Sequence, residues 1–279
     1  MAFFTRDNAS IYYEETGRGE PVIAVHGLIE NTLYWEGIAE ELAESCRFIA
    51  MDMRAHGRTA VSKKPYGFDV ETIGEDIMAL ADHLGLGSFH LLTHSTGGFA
   101  AVRHAMKDSG RFAGLILTDT GSATFPGPGD AEFIQGYNDA FARWFEKHDW
   151  DQIIAGLRIK PGPFFRGIVE SANAEELMDR AYEMIKRGDR TIIAAFVRSF
   201  YLDPDPHIDG LRTIRCPVLI VYGEKDDLFI ESSRLMAREI PGAQIIEYEG
   251  VGHMTALEAP ERLSRDVASF IASHPAKDS

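Results

Sequence analysis

Two hydrophobic rhythms alternate along the first part of the chain. Short apolar runs at Val22 to Val25, Phe48 to Met51, Phe89 to Thr93 and Ala113 to Leu117 read as strands buried on both faces. Between them, apolar residues return every third or fourth place. Trp35, Ile38 and Leu42 line one helical face. Ile73, Ile77, Leu80, Ala81 and Leu84 line another, capped by Asp69 and closed by Gly85. Ser10 to Glu15 alternates instead, between Asn8 and the pair Gly17 and Gly19, which predicts an antiparallel edge strand. The rhythm resumes late, with a strand at Val218 to Tyr222, a helix over Ile230 to Ile240 and a strand at Gln244 to Tyr248. A last helix from Pro260 to Ile271 has proline well placed at its start. Such alternation predicts an α/β fold: a mostly parallel, doubly wound central sheet of about eight strands with helices on both faces.

From Gly121 to about Asp205 no strand pattern occurs. Helical patterns cover Asp130 to Lys147, Asp149 to Leu157, Ala174 to Lys186 and Thr191 to Leu202, between the proline-rich runs FPGPGD and LDPDP. The expected division is a core of residues 1–120 and 206–279 with a helical subdomain, 121–205, inserted after the strand ending near Asp119. The insertion is rich in aromatic residues, most of which must form its own core. A minority are candidates for a pocket facing the sheet: Tyr137, Phe141, Trp144 and Phe196, with Trp35 from the core.

Composition narrows the function. With 43 acidic against 28 basic residues, a formal net charge of −15 makes nucleic acid or an anionic membrane an improbable partner. The leading residues MAFFTRDNAS lack a signal-peptide pattern and no stretch has the length of a membrane span, so a cytoplasmic location is expected. Cys46 and Cys216 can form one bridge at most, and small buried side chains are the simpler expectation. No histidine, cysteine and carboxylate cluster has metal-ligand spacing, and no cofactor is called for.

The stretch FHLLTHSTGGFA, Phe89 to Ala100, concentrates the chemistry. A strand runs into His94, Ser95 and Thr96, then Gly97 and Gly98, and a helical pattern starts at Phe99. A serine pinched between strand end and helix start projects its hydroxyl from a strained turn, the nucleophile elbow, and the helix aims unpaired amides back at it. In parallel sheets ligands bind at the carboxyl ends of the strands, so partners are sought just after each strand. Tyr222 is followed by GEKDD, offering Asp226 and Asp227, and Tyr248 by EGVGHM, offering His253; Asp119 is a third acid position. Serine needs a base to take its proton, histidine does this near neutral pH, and a carboxylate fixes the imidazole tautomer. The order Ser, Asp, His is the one expected on this architecture.

His26-Gly27, DMRAHGRT (Asp52 to Thr59), THSTGG, GEKD and GVGH followed by MTALEAPERL together resemble the α/β-hydrolase superfamily over nearly the full chain. The departures are Thr93, where the elbow normally begins with glycine, and Ala55, where glycine usually follows Arg54. The resemblance implies Ser95 as nucleophile, His253 as base, Asp226 rather than Asp227 as acid, and the backbone amides of Leu28 and Thr96 as oxyanion hole. It gives His94, His26 and His56 packing or loop-supporting roles. Serine at the elbow favours an acyl-enzyme, and the simplest expectation is hydrolysis of a carboxylic ester or lactone of a small, mostly apolar molecule. The alternatives are a C–C bond hydrolase, a cofactor-free perhydrolase related to haloperoxidases, and a small-molecule receptor with a residual triad. The partner expected is a small-molecule substrate; oligomeric state is not legible.

Overall fold

A computed structural model describes residues 2–62, 68–127 and 129–277; Pro128, inside the FPGPGD run, lies outside them. The chain begins with strands β1 (Ala2–Arg6), β2 (Ala9–Thr16) and β3 (Glu20–Val25). A 3-10 turn over Thr32–Trp35 leads into helix α1 (Glu36–Leu42), strand β4 (Cys46–Met51) and the short β5 (Ala60–Val61). Then follow α2 (Val70–His83), β6 (Phe89–His94), α3 (Thr96–Lys107) and β7 (Phe112–Thr118). Helices α4 (Ala131–Lys147), α5 (Trp150–Ile159), α6 (Gly162–Val169), α7 (Ala174–Ile185) and α8 (Arg190–Phe200) precede the short α9 (Ile208–Leu211). The chain closes with β8 (Val218–Gly223), α10 (Ile230–Glu239), β9 (Gln244–Tyr248), α11 (Thr255–Glu258) and α12 (Pro260–Ser273).

Among the described residues the sheet has nine strands in the order β1-β2-β4-β3-β6-β7-β8-β9, with β5 paired to β2. Strands β4, β3, β6, β7, β8 and β9 pair in parallel in that order, whereas β2 runs antiparallel to β1, β4 and β5. The expected edge strand is therefore interior. β1 takes the edge, and its sequence AFFTR has no alternation to announce it: Phe3 is half exposed and Phe4 buried. The parallel strands read as unbroken apolar runs because both faces are covered. Ile23, Leu91, Leu117 and Ile220 join the core on one face, and Val22, Leu92, Ile116 and Val221 join that on the other.

The Asp69 cap is present: its carboxylate accepts the Thr72 N–H at 2.6 Å, and Gly85 follows the helix at φ +68°. In the insertion, α4 packs along α8, and Ala142, Phe145, Ile153, Ile193, Ala194 and Val197 form a separate small core. Helix α6 has no counterpart in the expected pattern, because its Gly-Pro-Phe-Phe start reads as a breaker. Cys46 and Cys216 are free and buried. Among the described residues no helix is long and apolar enough to cross a membrane.

Candidate active site

The chain reverses its direction across the sheet at β3: β4 lies on one side of it and β6 on the other. The crevice at such a switch point is where open α/β sheets hold ligands. The segments leaving β3 and β6 there are His26-Gly27-Leu28 and His94-Ser95-Thr96.

Ser95 sits at φ +46° and ψ −112°, in the left-handed half of backbone space, and begins α3 without a side-chain cap. Small neighbours permit this. A Cβ on Gly97 would come within 2.7 Å of the Val25 and His26 carbonyl oxygens, and one on Gly98 within 2.5 Å of the Thr120 side chain. Thr93 fits because its hydroxyl points sideways and donates to the Ile116 carbonyl at 3.2 Å. Thr118 Oγ1 in turn donates to the Thr93 carbonyl at 3.0 Å, and Thr120 Oγ1 to that of Ser95 at 2.6 Å. These hydroxyls stitch the elbow to β7.

His253 lies in the loop after β9 and donates from Nδ1 to Asp226 Oδ2 at 2.9 Å; both are buried. This fixes the tautomer and leaves Nε2 as the basic nitrogen of the neutral ring. Phe229 stacks on the ring at 5.3 Å and Phe164 meets it edge-on at 5.0 Å. Burial disfavours the imidazolium, but the Asp226 charge and hydrogen bond, helped by Glu30 and Glu258, outweigh it and raise His253 above its ordinary value. Glu258 also grips the loop: its carboxylate accepts the Gly252 N–H at 2.8 Å and the Met254 N–H at 3.0 Å, on either side of the histidine.

Ser95 and His253 line a cavity of about 30 Å³ together with Leu28, Glu30 and Met254. Among the described residues no hydrogen bond joins Ser95 Oγ to the His253 ring. The amides of Leu28 and Thr96 have no protein acceptor among the described residues. Neighbouring amides are occupied: Gly27 N–H by Glu30, Gly97 N–H by the His26 carbonyl and Gly98 N–H by that of Ser95.

The other acids fall elsewhere. Asp227 is exposed and paired with Arg166 of α6, and it is Asp226 Oδ1 that accepts the Leu228 N–H ahead of α10. Asp119 is buried at φ +47° and accepts the Gly223 N–H at 3.0 Å; among the described residues no hydrogen bond or ion pair joins it to His253. Burial and the nearby Asp226 charge raise it well above the carboxylate range. His26 is a loop clamp, accepting the Met53 N–H at Nε2 and donating from Nδ1 to the Gly27 carbonyl. Beyond β4, Arg54 pairs in bidentate fashion with buried Asp76, and Ala55 takes the glycine conformation at φ +73°.

Above Ser95 lies a cavity of about 710 Å³ with a lining almost wholly apolar, roofed by α4, α5 and α6. Tyr137, Phe141 and Trp144 face it. Trp35 and Phe196 do not, which corrects two expected pocket residues. Trp35 is fully buried against Tyr34 in the core, and Phe196 packs on His56, Phe68 and Phe200. Both sit on inward helical faces that aromatic content alone cannot tell from cavity-facing ones. Sequence reasoning missed Phe99, Phe125, Phe164 and Phe229 on the wall. It also missed Glu30, which has no motif around it, and Glu258, although the MTALEAPERL run contains it. Just past α8, the Tyr201 hydroxyl is hydrogen-bonded to Thr96 Oγ1 of the elbow.

Residues 20–260 match the family described as alpha/beta hydrolase fold, and the chain belongs to that family. Among similar proteins, a non-heme chloroperoxidase of Streptomyces lividans is 28% identical, covering 96% of this chain and 98% of its own. The dihydrolipoyllysine-residue acetyltransferase component of an acetoin cleaving system from Pseudomonas putida is also 28% identical over 92% of this chain; the match spans 64% of that longer protein. Among solved structures, a thermophilic esterase from Thermogutta terrifontis superposes with a TM-score of 0.78 at 29% identity, covering 95% of this chain and 94% of that one.

Proposed function

We propose that this chain is a serine hydrolase that cleaves a carboxylic ester or lactone of a largely apolar molecule through an acyl-enzyme. One observation carries the reading: a histidine whose Nδ1 is held by a buried carboxylate shares a small cavity with a serine on a strained strand–helix turn. His253 takes the Ser95 proton as Oγ attacks the carbonyl, and Asp226 stabilises the imidazolium. The amides of Leu28 and Thr96 hold the oxyanion, and His253 returns the proton to the departing alkoxide. Water then enters, is deprotonated by His253 and releases the acid; the 30 Å³ cavity has room for about one water. Residues 121–205 act as a cap whose aromatic wall selects the acyl or ring portion, and the esterase likeness supports this reading. A screen of aryl esters and lactones tests it: turnover is expected with both classes, abolished by Ser95→Ala. Turnover surviving that substitution contradicts the proposal.

The likeness to a non-heme chloroperoxidase supports a second reading, in which peroxide replaces water as the attacking species. Halogenation that requires peroxide and a short carboxylic acid, with ester cleavage at least a hundredfold weaker than in an esterase, would favour it.

A further inference from the structure

His94 sits next to the nucleophile, is fully buried, and has both ring nitrogens aimed at oxygens. Nε2 lies 2.8 Å from the His253 carbonyl oxygen, and Nδ1 lies 3.0 Å from Glu30 Oε2. A carbonyl can only accept, so Nε2 carries a proton. Nδ1 then either donates to a carboxylate or accepts from a carboxylic acid. In both arrangements the pair holds one proton more than a neutral imidazole and a free carboxylate. The same Glu30 oxygen accepts the Gly27 N–H at 2.6 Å, the amide immediately before Leu28. Between them, Ile29 is held at φ +60°, a conformation a β-branched residue adopts only when its surroundings impose it. The fit is close: a Cβ on Gly27 would lie 2.9 Å from His94 Nδ1 and 3.0 Å from Ser95 Cβ.

We propose that Glu30 and His94 form a proton-holding clasp that positions the oxyanion loop against the nucleophile turn and the base loop. Both act through the main chain, Glu30 on the Gly27 amide beside Leu28 and His94 on the His253 carbonyl. The inference rests on the serine-hydrolase reading above. Other charged or titratable groups face the clasp. Asp119 Oδ2 is 3.9 Å from His94 Nε2, Tyr34 stacks on His94 at 4.4 Å, and the His253 ring lies 4.8 Å away. The Glu30 charge is also felt by His56 and Tyr201, and that of His94 by His26. Around His253 itself the carboxylates are Asp226, Glu30 and Glu258.

Full-chain Glu30→Gln, His94→Gln, their double variant and Ser95→Ala, assayed across pH with a short-chain aryl ester, test the clasp. Each single is expected to lose about 10- to 100-fold in kcat with KM nearly unchanged, short of the roughly 100- to 1,000-fold for outright loss of an oxyanion donor. The double should be no worse than the poorer single. Ser95→Ala inactive with folded clasp variants at wild-type kcat overturns the clasp alone. Ser95→Ala still active overturns the serine reading instead. Should the variants not fold, 15N spectra of histidine-labelled wild-type protein decide. The clasp requires His94 Nδ1 protonated or strongly hydrogen-bonded, and a bare basic Nδ1 overturns it.

Discussion

The floor and the roof of the site are built on opposite physical principles. Beneath Ser95 directed polar contacts dominate: Thr93, Thr118 and Thr120 stitch strand to strand, and Asp226, Glu258 and Glu30 each hold a loop by hydrogen bonds. Above it, Phe141, Trp144, Phe164 and their neighbours offer a wide apolar surface with few directional contacts. Directed bonds in a buried setting hold atoms to fractions of an ångström, which reaction needs. An apolar wall adds affinity in proportion to area and tolerates a change of shape. Chemistry is therefore expected to reside in the floor and selectivity in the roof.

The largest effects should come from the floor. Ser95→Ala and His253→Ala are each expected to lower kcat by on the order of 10⁴- to 10⁶-fold, with the double variant hardly worse because the residues act as one unit. Multiplying losses in steady-state kinetics would separate them mechanistically. In the roof, Trp144→Ala should raise KM by roughly tenfold for a bulky aromatic ester and by less than about twofold for an acetate, the scale of one lost aromatic contact. Equal losses for both esters would dissolve the distinction between floor and roof.

Smaller effects concern stability. Thr93→Gly restores the commoner elbow sequence, yet it removes a buried hydroxyl bonded to Ile116 and leaves a void. Denaturant titration should show a loss of about 1–3 kcal/mol. Ala55→Gly relieves a left-handed alanine and should gain about 1 kcal/mol with activity unchanged. A destabilised Ala55→Gly variant would mean that the alanine methyl packs better than its backbone suggests.

What was legible in the sequence divides along the same line. Ser95, Asp226 and His253 stand out as candidates because each follows a strand whose apolar run is plain, and strand ends converge in a parallel sheet. The Leu28 and Thr96 amides are candidate oxyanion donors by their places in the two turns. β2 was read as an edge because alternation reports one half-covered face, not a position in the sheet, and the five residues of β1 carry no period. The roof was less readable. Trp35 and Phe196 show that aromatic content cannot separate a cavity wall from a core when both are apolar, and α6 was hidden by its proline and glycine. Glu30 and Glu258 were invisible for a different reason: their roles lie in backbone amides held across loops, for which side-chain spacing gives no sign.

The central claim is that Ser95 is a nucleophile made reactive by His253. Intact-mass and peptide analysis after exposure to a small organophosphate tests it most directly. One adduct per chain on the peptide carrying Ser95, absent in His253→Ala, is the result expected. An adduct on another residue, or none while ester turnover continues, would contradict it.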